Sequence, residues 1–447
     1  MIAILLCVLA GDVKDTEVYK HIRESIDQVS AIDTHDHLRP FDQLPRDPTA
    51  DGPKVTLRSQ WAGSYFSWTS RVEPWPDDRF FDTWWNRAKP VFANARATSF
   101  YRYMLPAWKD LYGVDFNTIS DEQARQLNQQ IVARYADSKW QDEVITEKAK
   151  IELMVNDPYW GRLDLDNCFP KTKYMAGVLN VTTLVTGHHP SRSMGTSSPY
   201  WFAEKNGMKI DSFDDYLAVV NAIFDKAVAV RIVVGLKSTQ AYERTLYFEE
   251  TPKEKAAAAF GKLPNELTDE QKKNFEDFMF WHLAGLAGKY GFPFQIHTGQ
   301  ARVQGSNPML LANLIQGNPR TKFCLFHGGY PWVGETGVIA QRFPNVWIDS
   351  NWLPQLNYTM AKRAYQEWLD AIPSNRILWG ADNAYAEGIY GATVTTRQCL
   401  AEALAEKVIR KEIREEDAIH IGRQVMRENA LEVFPSLKTR LWRGEGS

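Results

Sequence analysis

The sequence predicts an α/β chain, a parallel (β/α)8 barrel with a helical insertion after its first strand. Three observations predict it. Short apolar, β-rich runs recur along the chain and each stops at a polar residue. Helical stretches lie between most of them. The runs number eight, at 31–37, 151–157, 175–185, 231–237, 294–298, 323–327, 346–350 and 377–382. Barrels of this kind place their chemistry where the strands end. Here the strand ends carry His35 and His37, Lys237, His297, His327 and Asp382.

Residues 1–28 read as an N-terminal segment and a lead-in helix. Met1 to Ala10 is apolar enough for a signal-peptide core, but no Lys or Arg precedes it and it is too short to span a bilayer. A cytoplasmic protein is therefore the favoured expectation, with export through a weak N-terminal signal as the alternative. The first strand then delivers Asp33-Thr34-His35-Asp36-His37. Successive strand side chains alternate faces, so His35 and His37 project from the same side. Imidazole is the commonest transition-metal ligand, and a strand end fixes two of them at once.

The expected barrel spans residues 29–435, and residues 39–148 form an insertion long enough to cap its mouth. Helical stretches are expected at 81–94, 100–112 and 121–135. Its Trp61, Trp68, Arg71, Trp84, Trp85, Arg96, Arg102 and Trp108 are candidate substrate contacts, although most such residues pack or face solvent. Residues 187–211, rich in His, Ser and Gly, read as a lid carrying His188 and His189. Residues 251–273, dense in Lys, Glu and Ala, read as a solvated helical excursion. The helix at 275–290 has a capping box in Thr268 and Gln271, and further amphipathic helices are expected at 360–371 and 397–410. Residues 436–447 form a C-terminal tail.

Composition narrows the function. The chain has 447 residues and a formal net charge of −3, which gives no electrostatic footprint for nucleic acid or an anionic membrane. No low-complexity linker divides it, so one barrel is preferred to several domains. Cys7, Cys168, Cys324 and Cys399 are scattered without metal or disulfide-framework spacing. A small molecule is the expected partner, and the chain could form a homo-oligomer.

Taken together, Ile32-Asp33-Thr34-His35-Asp36-His37, Gly235-Leu236-Lys237-Ser238, Phe294-Gln295-Ile296-His297-Thr298-Gly299, Phe326-His327-Gly328-Gly329-Tyr330-Pro331-Trp332 and Gly380-Ala381-Asp382-Asn383 resemble the amidohydrolase superfamily, in its Amidohydrolase_2 branch. The resemblance is closest to the domain found in FluG and nodulin-like proteins. The runs Ser99-Phe100-Tyr101-Arg102, Leu111-Tyr112-Gly113 and Glu387-Gly388-Ile389-Tyr390-Gly391-Ala392 share in it.

The resemblance implies that His35, His37, His297 and Asp382 hold a divalent metal, most simply Zn²⁺, with one ion favoured and two as the alternative. It implies that Asp382 also takes a proton, and that His327 polarises the substrate. Lys237 is either an ammonium that grips a substrate carboxylate, helped by Arg244 and Arg102, or a carbamylated bridge between two metals. Glu335 and Asp349 are weaker candidates. The expected activity is hydrolysis of a C–N or C–O bond in a small carboxylate-bearing substrate. Alternatives are non-oxidative decarboxylation, a lyase reaction, and then uronate-type isomerisation.

Overall fold

The computed structural model describes residues 12–158, 162–169 and 172–444, and the expected export signal and Cys7 lie outside them. Eight parallel strands pair in chain order: β1 (Ala31–Asp36), β2 (Ile151–Asn156), β3 (Met175–Asn180), β4 (Val233–Ser238), β5 (Phe294–Ile296), β6 (Phe323–Leu325), β7 (Val346–Asp349) and β8 (Ile377–Leu378). Almost every strand residue is buried, because a parallel sheet is covered on both faces. That double burial is why the strands read as apolar runs.

Beyond the regular ladder, backbone hydrogen bonds tie the last strand to the first. Thr34 N–H donates to the Trp379 carbonyl (3.2 Å), Asp382 N–H to His35 (2.9 Å) and His37 N–H to Asn383 (2.9 Å). Asp33 adds its carboxylate, which accepts from His35 N–H at 3.0 Å and from Ala381 N–H at 3.2 Å. A side chain at Gly380 would crowd this seam, since its Cβ would lie 3.0 Å from the His35 nitrogen. The barrel interior holds Ile32, Val178, Val234, Cys324, Trp347 and Leu378, with Phe434 and Leu437 packed against them.

Between β1 and β2 come a two-stranded hairpin and the helices Leu57–Gly63, Phe81–Ala95, Leu105–Tyr112 and Asp121–Arg134. Their core is aromatic: Trp61 packs against Phe66, Phe92, Tyr101 and Phe116. Trp61, Trp84 and Trp108 are therefore structural. The insertion docks on the helix Ala386–Ile409 through Glu387, whose buried carboxylate accepts from Tyr112 (2.6 Å), Trp140 (3.1 Å) and Tyr135. Three donors on one carboxylate replace the water lost on burial.

Three expectations need correction. The third run stops at Asn180, whose side chain accepts from Thr182 N–H and so starts a short helix, Thr182–Thr186, in place of more strand. The last long helix begins at Ala386, well before 397. It is buried on most sides, so it lacks the one-sided pattern by which surface helices are recognised. Residues 187–211 are not a lid over the cavity described below, since none of them lines it. His188 is instead buried against the Lys262 carbonyl, to which its Nδ1 donates at 3.1 Å. The helix Asp269–Tyr290 does carry the expected reciprocal cap of Thr268 and Gln271. Among the described residues, no helix is long and apolar enough to cross a membrane.

Candidate metal centre and substrate cavity

His35, His37 and Asp382 meet at the rim where β1 adjoins β8, with one ligand atom from each within 4.8 Å of the others. Two hydrogen bonds decide which nitrogen of each imidazole carries the proton. The Gln295 amide nitrogen donates to the Thr34 carbonyl at 2.8 Å, which orients the amide and presents its oxygen to His35 Nδ1 at 3.2 Å. His37 Nδ1 faces the Asp157 backbone carbonyl at 3.0 Å. A carbonyl oxygen only accepts, so both Nδ1 atoms carry the proton and both Nε2 atoms keep a lone pair. Burial, with the nearby Lys237 charge, holds His35 well below the usual imidazole range. Two neutral Nε2 donors and a carboxylate suit a borderline divalent cation, so the residues present fit a metal.

The other two strand-end histidines behave differently. His327 Nε2 lies 3.0 Å from His297 Nδ1, while His327 Nδ1 faces the Asn351 carbonyl (3.2 Å) and His297 Nε2 the Gln300 carbonyl (3.1 Å). By the same rule both outer nitrogens carry protons, so His297 Nδ1 and His327 Nε2 turn lone pairs toward one another, and His297, expected as a ligand, is not one of the three residues of the cluster. Burial pushes His297 down to about 3 and His327 down as well. Gly299 allows the turn after His297, since it has φ +81° and a Cβ there would collide with the Tyr330 carbonyl.

His327, Trp352 and Asp382 end β6, β7 and β8 in left-handed backbone, at φ 59°, 62° and 52°. Such conformations cost roughly 1–3 kcal/mol each in non-glycine residues and persist only where the surroundings hold them. The anchors here are the His327 N–H bond to Asn351 Oδ1 (3.0 Å) and the Asp382 N–H bond to the His35 carbonyl.

Lys237 is buried. Its Nζ lies 3.4 Å from His35 Nε2 and 3.6 Å from the centre of the Phe326 ring. Burial lowers it to about 8, against the opposing pull of Asp382, Asp157 and Asp349. Asp349 is a support, accepting from Thr34 Oγ1 at 2.6 Å and from Asn351 N–H at 3.0 Å. Two other expected contacts lie away from this centre. Arg244 pairs with the buried carboxylates of Glu276 (3.1 Å) and Asp277 (2.6 Å) and does not line the cavity. Arg102 lies over the Tyr358 ring and lines a separate recess. Glu335 is exposed on the helix Val333–Arg342.

A cavity of about 570 Å³ opens from His37 and Asp382 and reaches Lys237, His297, Trp68, Trp352 and Tyr385. Its volume is that of a small-molecule site. Among the lining residues that escaped the sequence is Tyr65 of the insertion, whose hydroxyl donates to Asp382 Oδ1 at 2.9 Å. Nothing in its neighbourhood marks it, because the insertion brings it to the rim from 30 residues beyond His35. Gln295 was legible, since it stands two residues before His297 on β5 and shares its face.

The amidohydrolase family model matches residues 213–435, the stretch that carries Lys237, His297, His327 and Asp382. The chain belongs to the amidohydrolase superfamily. It is similar to protein fluG of Emericella nidulans, at 25% identity over 232 residues, which are 48% of this chain and 27% of that protein. The aligned part is thus about a quarter of its relative's length. Among solved structures, the chain shares its fold with glucuronate isomerase of Caulobacter crescentus (TM-score 0.74, 14% identity, 96% of this chain and 95% of that one). A candidate metal-dependent hydrolase of Lactobacillus casei also matches (TM-score 0.62, 18% identity, 94% and 98%).

Proposed function

We propose that this amidohydrolase is a metal-dependent hydrolase that cleaves a C–N or C–O bond in a small carboxylate-bearing substrate. The observation that carries the reading is the convergence of two lone-pair Nε2 atoms and the Asp382 carboxylate at the mouth of a substrate-sized cavity. A divalent ion held by His35, His37 and Asp382, most simply Zn²⁺, supplies Lewis acidity to a carbonyl oxygen or a water when bound. Asp382 has an oxygen 3.7 Å from His327 Nδ1 and a second that accepts from Tyr65. It therefore can receive a proton from the attacking water and return it to the leaving group. Lys237 places a cation beside the same centre, where it opposes negative charge that develops on the substrate.

A second reading is isomerisation of a sugar acid. Its specific support is the Tyr65–Asp382 pair, a phenol and a carboxylate within 2.9 Å, which is the acid–base couple that moves a proton between adjacent carbons. The glucuronate isomerase likeness, which shows the fold alone, agrees with it.

Mass spectrometry of products from a panel of amides, lactones, aromatic acids and uronates, run with metal-loaded protein, separates the reactions. Gain of one water is the expected result. An unchanged mass with a new retention time would establish the isomerase, and loss of CO₂ a decarboxylase. Elemental analysis of the same protein is expected to give one equivalent of metal; two would point to a carbamylated Lys237 bridging a pair.

A further inference from the structure

The charges of the cavity wall away from the ligand cluster have no assigned role. Arg58 lines it, and its guanidinium is fixed from behind: Nη1 donates to Asp47 at 2.9 Å and Nε to the Glu73 carbonyl at 3.3 Å. Its other amino nitrogen has no partner among the described residues. Arg39 lines the same wall. Its backbone is held on both sides, by the Ala384 carbonyl and the Gln141 amide, while its guanidinium makes no hydrogen bond or ion pair among the described residues. Tyr385 lines the same cavity. Its ring is buried against Gly63, where any Cβ would overlap it, and its hydroxyl lies in the field of Arg39, of Asp47 and of Arg58, two cations against one carboxylate. That hydroxyl also lacks a hydrogen bond among the described residues.

We propose that Arg39, Arg58 and Tyr385 form an anion subsite that receives the carboxylate of a substrate whose six-membered ring rests on Trp68. Guanidinium forks match carboxylate geometry, and one already immobilised by its own ion pair loses little freedom on binding. Trp68 is half exposed and is braced from behind by the buried Trp352, which meets it edge-on with ring centres 5.1 Å apart. Flat apolar faces of this kind accept an aromatic ring or the face of a pyranose. The assignment replaces Arg244 and Arg102 as the carboxylate contacts, and it rests on the cavity being the substrate site.

Binding, followed by intrinsic tryptophan fluorescence without turnover, tests it. The probes are 4-hydroxybenzoate against 4-hydroxybenzamide, and glucuronate against glucose, each with elemental analysis of the protein used. One acid of the two pairs is expected to bind about tenfold more tightly than its neutral partner, as charge-assisted hydrogen bonds require. Which pair responds tells an aromatic from a sugar acid. Arg39→Met is expected to erase most of that preference and leave the metal content unchanged. Arg58→Met should do the same but exposes Asp47 to an unpaired burial. Arg39, which has no partner to lose, therefore keeps the test decisive if the Arg58 variant misfolds. Equal binding of acid and neutral probe in both pairs overturns the proposal, as does an undiminished preference in Arg39→Met. An acid preference in protein that holds no metal would sustain the subsite and sink the metal-dependent reading, so the two failures are distinguishable.

Discussion

Two pairs of histidines stand on the same rim and do different things. His35 and His37 each donate an Nδ1 proton outward, to Gln295 and to the Asp157 carbonyl, and their remaining lone pairs converge with Asp382. His297 and His327 face carbonyls with their outer nitrogens and each other with their inner ones. Residue type and strand-end position are the same in both pairs. In both pairs a carbonyl oxygen fixes the proton on the outer nitrogen, so the difference lies in where the inner nitrogens point, toward Asp382 in the first pair and toward each other in the second.

The largest effect expected from this contrast is on metal content. His35→Ala and His37→Ala should each abolish stoichiometric metal in elemental analysis, whereas His297→Ala should retain it. Loss of metal from His297→Ala would erase the distinction between the pairs. Next comes the acceptor itself. Gln295→Met removes the group that fixes the His35 tautomer, and the expected weakening of metal affinity is about 10–100-fold in chelator competition. An unchanged affinity would show that the ring orients itself. Smaller again in its effect on the metal, and confined to turnover, is Tyr65→Phe. Metal content should stay constant while kcat falls about a hundredfold, the ordinary worth of one placed proton donor. A change in KM alone would make Tyr65 a binding residue only.

The contrast also explains what the sequence could and could not reveal. The eight strands were legible because both faces of a parallel sheet are covered, which forces continuous apolar runs. The His35–His37 pair was legible from the two-residue period of a strand. Which histidines converge was not, because that depends on acceptors from elsewhere: Asn351 behind His327 and Gln300 beside His297. It also depends on left-handed turns at His327 and Asp382 that aim the side chains after each strand has ended. Arg244 seemed well placed, seven residues beyond Lys237. The turn at Gln240–Tyr242 leads it away to two carboxylates whose burial requires a cation. Tyr65 and Arg58 belong to an insertion whose path over the barrel no local pattern encodes.

A fifth histidine tests the comparison from outside the site. His188 is buried away from the cavity and donates through Nδ1 to a carbonyl, as His35 and His37 do, but among the described residues it belongs to no cluster of metal-ligating side chains. Burial pushes it from its ordinary 6.5 down to about 4. Between those two values the unfolded chain binds a proton that the folded chain refuses. Stability is therefore complete above about pH 6.5 and is lost as the pH falls toward 4. His188→Gln keeps a donor for the Lys262 carbonyl but cannot protonate, so its melting temperature should fall less steeply over that window than the wild type's. Metal content at neutral pH should be the same in both proteins. Parallel melting curves would mean that His188 is as well solvated as an exposed imidazole. Burial would then not be what holds the barrel's histidines neutral, and the acceptors behind His35 and His37 would have to account for their state alone.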